Sequence, residues 1–163
     1  MDVMERCHAI LEHPLFLTSM EKNQAAETER MFCSHDIGHA MDVARIAYII
    51  NLEESLGFSQ EVIYAAALLH DITKWQQHVA GVPHNESAIE PATQILRDCQ
   101  FAEEEIALIC QAILHHRREP VDGEAAFSRL IFRADKLSRA CYCCHSRDTC
   151  HWEQDKQNKT LHY

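Results

Sequence analysis

Histidine and aspartate set the chemistry open to this chain. Twelve of its 163 residues are His, and two of these precede an Asp directly, at His35-Asp36 and His70-Asp71. Neutral imidazole is the commonest protein metal ligand, and a neighbouring carboxylate adds an anionic oxygen. His70-Asp71 stands out by context. It follows the apolar run YAAALL, so ring and carboxylate reach the edge of a dry core, where an unpaired charge is costly. Adjacent helical residues diverge by about 100°, so an ion lodged between the two would take both as ligands. Other donors recur at separate places. His39 follows His35 by one helical turn on the same side, His84 stands just before a helix, and His115-His116 ends the apolar run IALICQAIL. Asp135 interrupts the apolar segment LIFRADKLSR, where an acid has to be neutralised. Imidazole mixed with carboxylate suits iron, manganese, cobalt or zinc, and a carboxylate can be shared by two ions.

The elements that must position these donors read as helices. Residues 3–12 form a short amphipathic start that ends before Pro14, and Ser19 to Met31 is a polar helix opening on a plausible cap. Asp36 to Ser55 carries Ile37, Met41, Ala44, Tyr48 and Leu52 along one face and is stopped by Gly57. Ser59 opens a helix through VIYAAALLHDI that is apolar nearly all round. Residues 76–84, with Gly81 and Pro83, read as a loop. Asn85 then caps a helix through Arg97, and amphipathic stretches follow at 102–116 and 124–138. No stretch sustains a period of two. The expected fold is all-α, about six to seven helices in a single compact domain over residues 1–163.

Composition excludes several function classes. The chain is 47% hydrophobic with only four Gly and four Pro, which rules out a disordered chain and argues against a β-sandwich. The net charge of −10 without clustered cations speaks against nucleic acid as the main partner. No apolar run reaches the ~18 residues of a membrane span, so no membrane partner is expected. MDVMERCHAILEH carries no signal-peptide core, so the expected location is a reducing cytoplasm with the eight Cys mostly as thiols.

Four separated segments, carrying in order a helical His, His-Asp, further His and an Asp within a core helix, together resemble the HD-domain superfamily of metal-dependent phosphohydrolases over roughly residues 30–140. HAMDVARIA is similar to that family's first-His helix, ALLHDITK to its central motif with Lys74 at the place of a frequent Lys, and RADKLSR to the segment carrying the final Asp. The resemblance implies that His39, His70, Asp71 and Asp135 form a basic metal quartet, with Asp71 bridging when a second ion is present. His84, His115 and His116 match positions that hold this second ion in binuclear branches. In the HD-GYP branch an acidic residue one turn before the first His helps bind a third ion, and His35 occupies that place. HHRREPVDGEA also resembles that branch, but its Gly-Tyr-Pro is absent, which speaks against cyclic dinucleotide hydrolysis.

The implied activity is hydrolysis of a phosphomonoester or phosphodiester of a nucleotide-like metabolite by a hydroxide held on one or two divalent ions (Fe, Mn, Co or Zn). Asp71 would orient the hydroxide, and Lys74 would be the leading phosphate contact, with Arg117, Arg118 and Arg139 secondary. Two alternatives use the same scaffold: a di-iron HD-type oxygenase, and a non-catalytic nucleotide- or metal-binding module. A separate signal lies in the segment 141–163. Cys141, Cys143, Cys144 and Cys150, with His145 and His151, suggest either a structural zinc site or a redox-sensitive thiol cluster, and the segment beyond Trp152 is expected to fray.

Overall fold

The structure is a computed structural model that describes residues 4–163. All regular elements among them are helical: α1 (Glu5–Glu12), α2 (Pro14–Glu27), α3 (Ile37–Glu53), α4 (Gln60–Leu69), α5 (Lys74–Ala80), α6 (His84–Ser87), α7 (Ile89–Asp98), α8 (Glu103–His115) and α9 (Ala126–Leu137), with 3-10 turns at Cys141–Cys143 and Arg147–Thr149. The first expected helix begins at residue 3, which lies outside the described residues. None of the described helices is long and apolar enough to cross a membrane.

The all-α expectation holds, and the differences lie in boundaries and faces. The second helix begins at Pro14, not Ser19. Proline's missing N–H costs nothing at the first helical position, and the His13 ring accepts from Leu15 N at 3.2 Å. Lys74 to Ala80, read from sequence mostly as loop, is helix α5, ended by Gly81 in the left-handed region at φ 69°. The connection that Gly81 and Pro83 signal is therefore only residues 81–83. On α3 the buried face is Ala40, Val43, Ala44, Ala47, Ile50 and Asn51, whereas Ile37 and Leu52 are exposed. The alanines, small but apolar, mark this face less loudly than the larger side chains at its border.

α3 packs against α4 and α9, and α8 lies against α4, α7 and α9. Small residues line the centre: Ala44 and Ala47 of α3 and Ala65, Ala66 and Ala67 of α4 are fully buried. They let backbones approach closely, while Ile50, Ile63, Leu69, Ile109 and Leu130 fill the space around them. Each such aliphatic side chain stabilises the fold by about 1.5–3 kcal/mol through area removed from water.

Candidate metal centre

Local rules deliver each donor. Asp36 caps α3 by accepting from His39 N at 2.9 Å, which sets His39 in the first turn facing inward. α4 ends at Leu69, and His70 and Asp71 form the turn that follows. That turn is clamped by buried Asn23 of α2, whose side chain donates to Asp71 O at 2.9 Å and accepts from Trp75 N at 2.8 Å. Thr73 donates to His84 O at 2.9 Å and so ties the start of α6 to the same turn. His116 caps α8, and Asp135 sits in the last turns of α9.

These donors meet at Asp71. Its Oδ2 lies 3.0 Å from His70 Nε2 and 3.5 Å from His39 Nε2, while Oδ1 lies 3.0 Å from His84 Nε2 and 3.6 Å from His116 Nε2. Asp135 Oδ1 closes the first side, 3.2 Å from His39 Nε2 and 3.7 Å from His70 Nε2. His39, His70, Asp71 and Asp71, His84, His116 are thus two buried triads sharing one carboxylate.

The hydrogen bonds behind the rings fix which nitrogens face inward. His70 Nδ1 donates to Ala67 O at 2.7 Å, His116 Nδ1 to Ile113 O at 2.6 Å, and His84 Nδ1 to Gln77 Oε1 at 2.6 Å. With a proton on Nδ1, each Nε2 is the nitrogen that turns its lone pair on an ion, which at His70 means displacing the Nε2 proton that the ion-free site favours. His84 Nε2 and His116 Nε2 stand 3.0 Å apart, both beside an anionic oxygen, and His70 Nε2 is fully buried with no hydrogen-bond partner. Electron-rich atoms crowded this way repel unless a cation lies among them. The donor set therefore fits a metal ion, and on the Asp71 geometry it fits two.

Titration follows from the same crowding. Burial disfavours charge on His70, but Asp71 and Asp135 outweigh it and push the ring up to about 10 in the ion-free site. Burial would raise Asp71 and Asp135, yet the surrounding imidazoles hold both carboxyls well below their usual range. His84 is driven down to about 4 by burial, against the pull of Asp71. Burial also lowers Lys74.

Other expected residues divide. Lys74, Arg117 and Arg139 line a cavity of about 250 Å³ over the two triads. Lys74 Nζ lies 3.5 Å from His84 Nδ1, and Arg139 Nη2 lies 3.2 Å from His39 Nε2. Arg118 does not join them: it forms a forked pair with Glu124 at 2.7 and 3.2 Å. His115 also turns away from both triads, with Nδ1 against Glu124. His116 and Arg117 line the cavity, whereas His115 and Arg118 both turn to Glu124. His35 reaches neither triad and instead meets Glu27 and His78.

The cysteines gather less than their spacing suggests. All eight are free, and none belongs to a group of three or more donors within 4.8 Å among the described residues. Around the first 3-10 turn Cys141 is buried whereas Cys143 is exposed, its thiol donating to Ala140 O. The structural zinc site expected at Cys141, Cys143, Cys144 and Cys150 is not assembled here. The fraying expected beyond Trp152 is corrected too: Asn158 Nδ2 donates to Lys136 O at 2.7 Å and Arg139 O at 2.8 Å, and Gln157 is buried.

Several cavity residues were not singled out from sequence. Arg30, Phe32, Gln77, Lys136 and Trp152 line it, together with His151 from the cysteine-rich segment, and Lys136 Nζ lies 2.7 Å from Asp135 Oδ2. Gln77 carried a usable signal once α5 is a helix, since it lies one turn after Lys74.

A family model described as HD domain matches residues 35–140. An uncharacterized protein from Clostridium beijerinckii is 44% identical over 160 residues, covering 98% of this chain and 100% of its own. Among solved structures, a predicted HD superfamily hydrolase from an uncultured Thermotogales bacterium aligns with a TM-score of 0.62 at 24% identity, over 86% of this chain and 80% of that one. At that identity the likeness speaks for the fold.

Proposed function

The chain belongs to the HD domain family, and from that premise we propose that it is a metal-dependent phosphohydrolase acting on a small, nucleotide-like phosphate ester. One observation carries the reading: Asp71 offers one carboxylate oxygen to each of two imidazole pairs, beneath a cavity rimmed by five cations. His39, His70, Asp71 and Asp135 would hold one ion, and Asp71, His84 and His116 the other. Two ions there supply an activated water nucleophile and neutralise charge on the phosphoryl oxygens.

The protein's own groups do the rest. Arg30, Lys74, Arg117, Lys136 and Arg139 face the cavity in a chain of net charge −10, a local reversal that favours an anionic substrate. Arg139 holds its guanidinium at the cavity with Nη1 donating to Ser34 O at 2.9 Å and Nη2 3.2 Å from His39 Nε2, so it serves as a positioned positive charge, and Lys74 adds a compact charge beside the second triad. Ala67 O, Ile113 O and Gln77 fix the imidazoles, so no reorientation is needed when substrate arrives. An adjoining cavity of about 550 Å³ shares Arg117, Lys136, His151 and Trp152 and adds Phe132 and Lys156, which suits an aromatic leaving group. Eight free thiols are consistent with a reducing, cytoplasmic setting.

The test is a screen of phosphomonoesters and phosphodiesters with protein loaded separately with manganese, cobalt, iron and zinc. Turnover that disappears in Asp71→Ala is the expected result. Oxygen consumption by the iron form with no phosphate release from any ester would replace this reading with oxygenase chemistry.

A further inference from the structure

Beside the Asp71 cage, and sharing no residue with it, three more donors converge. Glu27 at the end of α2, His35 in the loop before α3 and His78 in α5 bring their ligand atoms within 4.8 Å of one another. His35 Nδ1 lies 2.5 Å and His78 Nε2 3.0 Å from the same oxygen, Glu27 Oε1, while Oε2 accepts from His35 N at 2.8 Å. We propose that Glu27, His35 and His78 form an independent site for a single divalent transition-metal ion.

The Glu27 side chain is only 6% exposed. A carboxylate so buried ordinarily takes an Arg or Lys. Among the described residues no Arg or Lys lies within ion-pair distance of it; the two imidazoles and the His35 N–H contact it directly, and Lys74 acts on it only from farther off. Two imidazoles and one carboxylate are a ligand set for zinc or for a non-haem iron-type ion with positions left open. His78, 24% exposed, leaves one side of the triad accessible to solvent, which gives an ion an entry path. Donors on a tetrahedral ion at ~2.1 Å stand ~3.4 Å apart, so the His35–Glu27 pair must open by less than ~1 Å to admit one. The His35 ring lies edge-on to the His39 ring at 5.8 Å, which makes this ion a neighbour of the cage and not a member of it.

The test counts metal in the full chain, stripped and then titrated with Zn²⁺ alone, and needs no turnover. Wild type binds one equivalent more than His78→Ala, whose helical content by circular dichroism is unchanged. Glu27→Gln, which keeps the side-chain shape, loses the same equivalent and serves where His78→Ala does not fold. Asp71→Ala loses the cage ions yet keeps one equivalent, which His78→Ala added to it removes. In crystals of the zinc-loaded protein an anomalous peak stands among Glu27, His35 and His78. Equal stoichiometry in wild type, His78→Ala and Glu27→Gln, or no such peak, overturns the site and leaves the hydrolase reading untouched.

Discussion

The cage and the cysteine-rich segment invert one another. The cage draws its donors from His39 to Asp135, delivered by five different helices or helix ends, and they meet around one carboxylate. Cys141, Cys143, Cys144 and Cys150 are close in sequence, yet across the short 3-10 turns Cys141 is buried, Cys143 exposed and the other two half-buried, and among the described residues no three donors of this segment come within 4.8 Å of one another. Proximity along the chain does little for ligation when the backbone between donors turns by about a third of a circle per residue. What makes a site is a set of rigid elements that agree on a direction, with His70, His84 and His116 held from behind by a carbonyl oxygen and His39 by the Ser138 hydroxyl.

Asp71→Ala is the severest way to break this contrast. Both triads lose their shared member, so the cage's metal affinity and phosphatase turnover fall by more than the roughly 10–100-fold expected for losing a merely supporting contact. Metal analysis and steady-state kinetics read the outcome. Asn23→Ala comes next, because it strands Asp71 O and Trp75 N without their partner at a cost of about 2–3 kcal/mol. A lowered Tm together with weaker metal retention is expected.

Acidity gives a graded effect. The ion-free cage holds a proton on His70, pushed up to about 10, that an incoming ion must displace. Metal affinity should therefore rise about tenfold per pH unit for each proton released, measured by chelator competition between about pH 6 and 8. The ion-free fold responds oppositely. A raised His70 contributes stability that is complete below its ordinary 6.5 and is lost as pH climbs through about 10.

The smallest effects belong to the other region. Replacing Cys141, Cys143 and Cys150 together by Ser should leave zinc content unchanged and cost about 1 kcal/mol, mostly at buried Cys141. Loss of a zinc equivalent would restore the cysteines as a site. Arg118→Ala should leave KM within about twofold, since Arg118 faces Glu124.

The ligand order was readable because His and Asp have few other reasons to sit in apolar helices, and both His70 and Asp135 announced themselves that way. Helix starts were readable where a cap acts locally, as at Asp36 and Ser59, whereas the end at Gly81 was hidden because the residues before it read as loop. Asn23 escaped because its value lies in a turn 48 residues away, and a polar side chain in a polar helix looks solvated. Glu27 and His78 escaped for the same reason: their meaning arises only when α2 and α5 pack together. The division between Arg117 and Arg118 depends on where α8 stops, which sequence places only to within a residue or two.

Asn158 gives the C-terminal segment a chemical clock. Its single amide nitrogen satisfies two carbonyls at the end of α9, next to Asp135 and Arg139. Spontaneous deamidation would exchange that donor for an acceptor-only carboxylate facing two carbonyl oxygens. Aged preparations would then loosen the segment that follows Trp152 from the end of α9, with the helical bundle still intact.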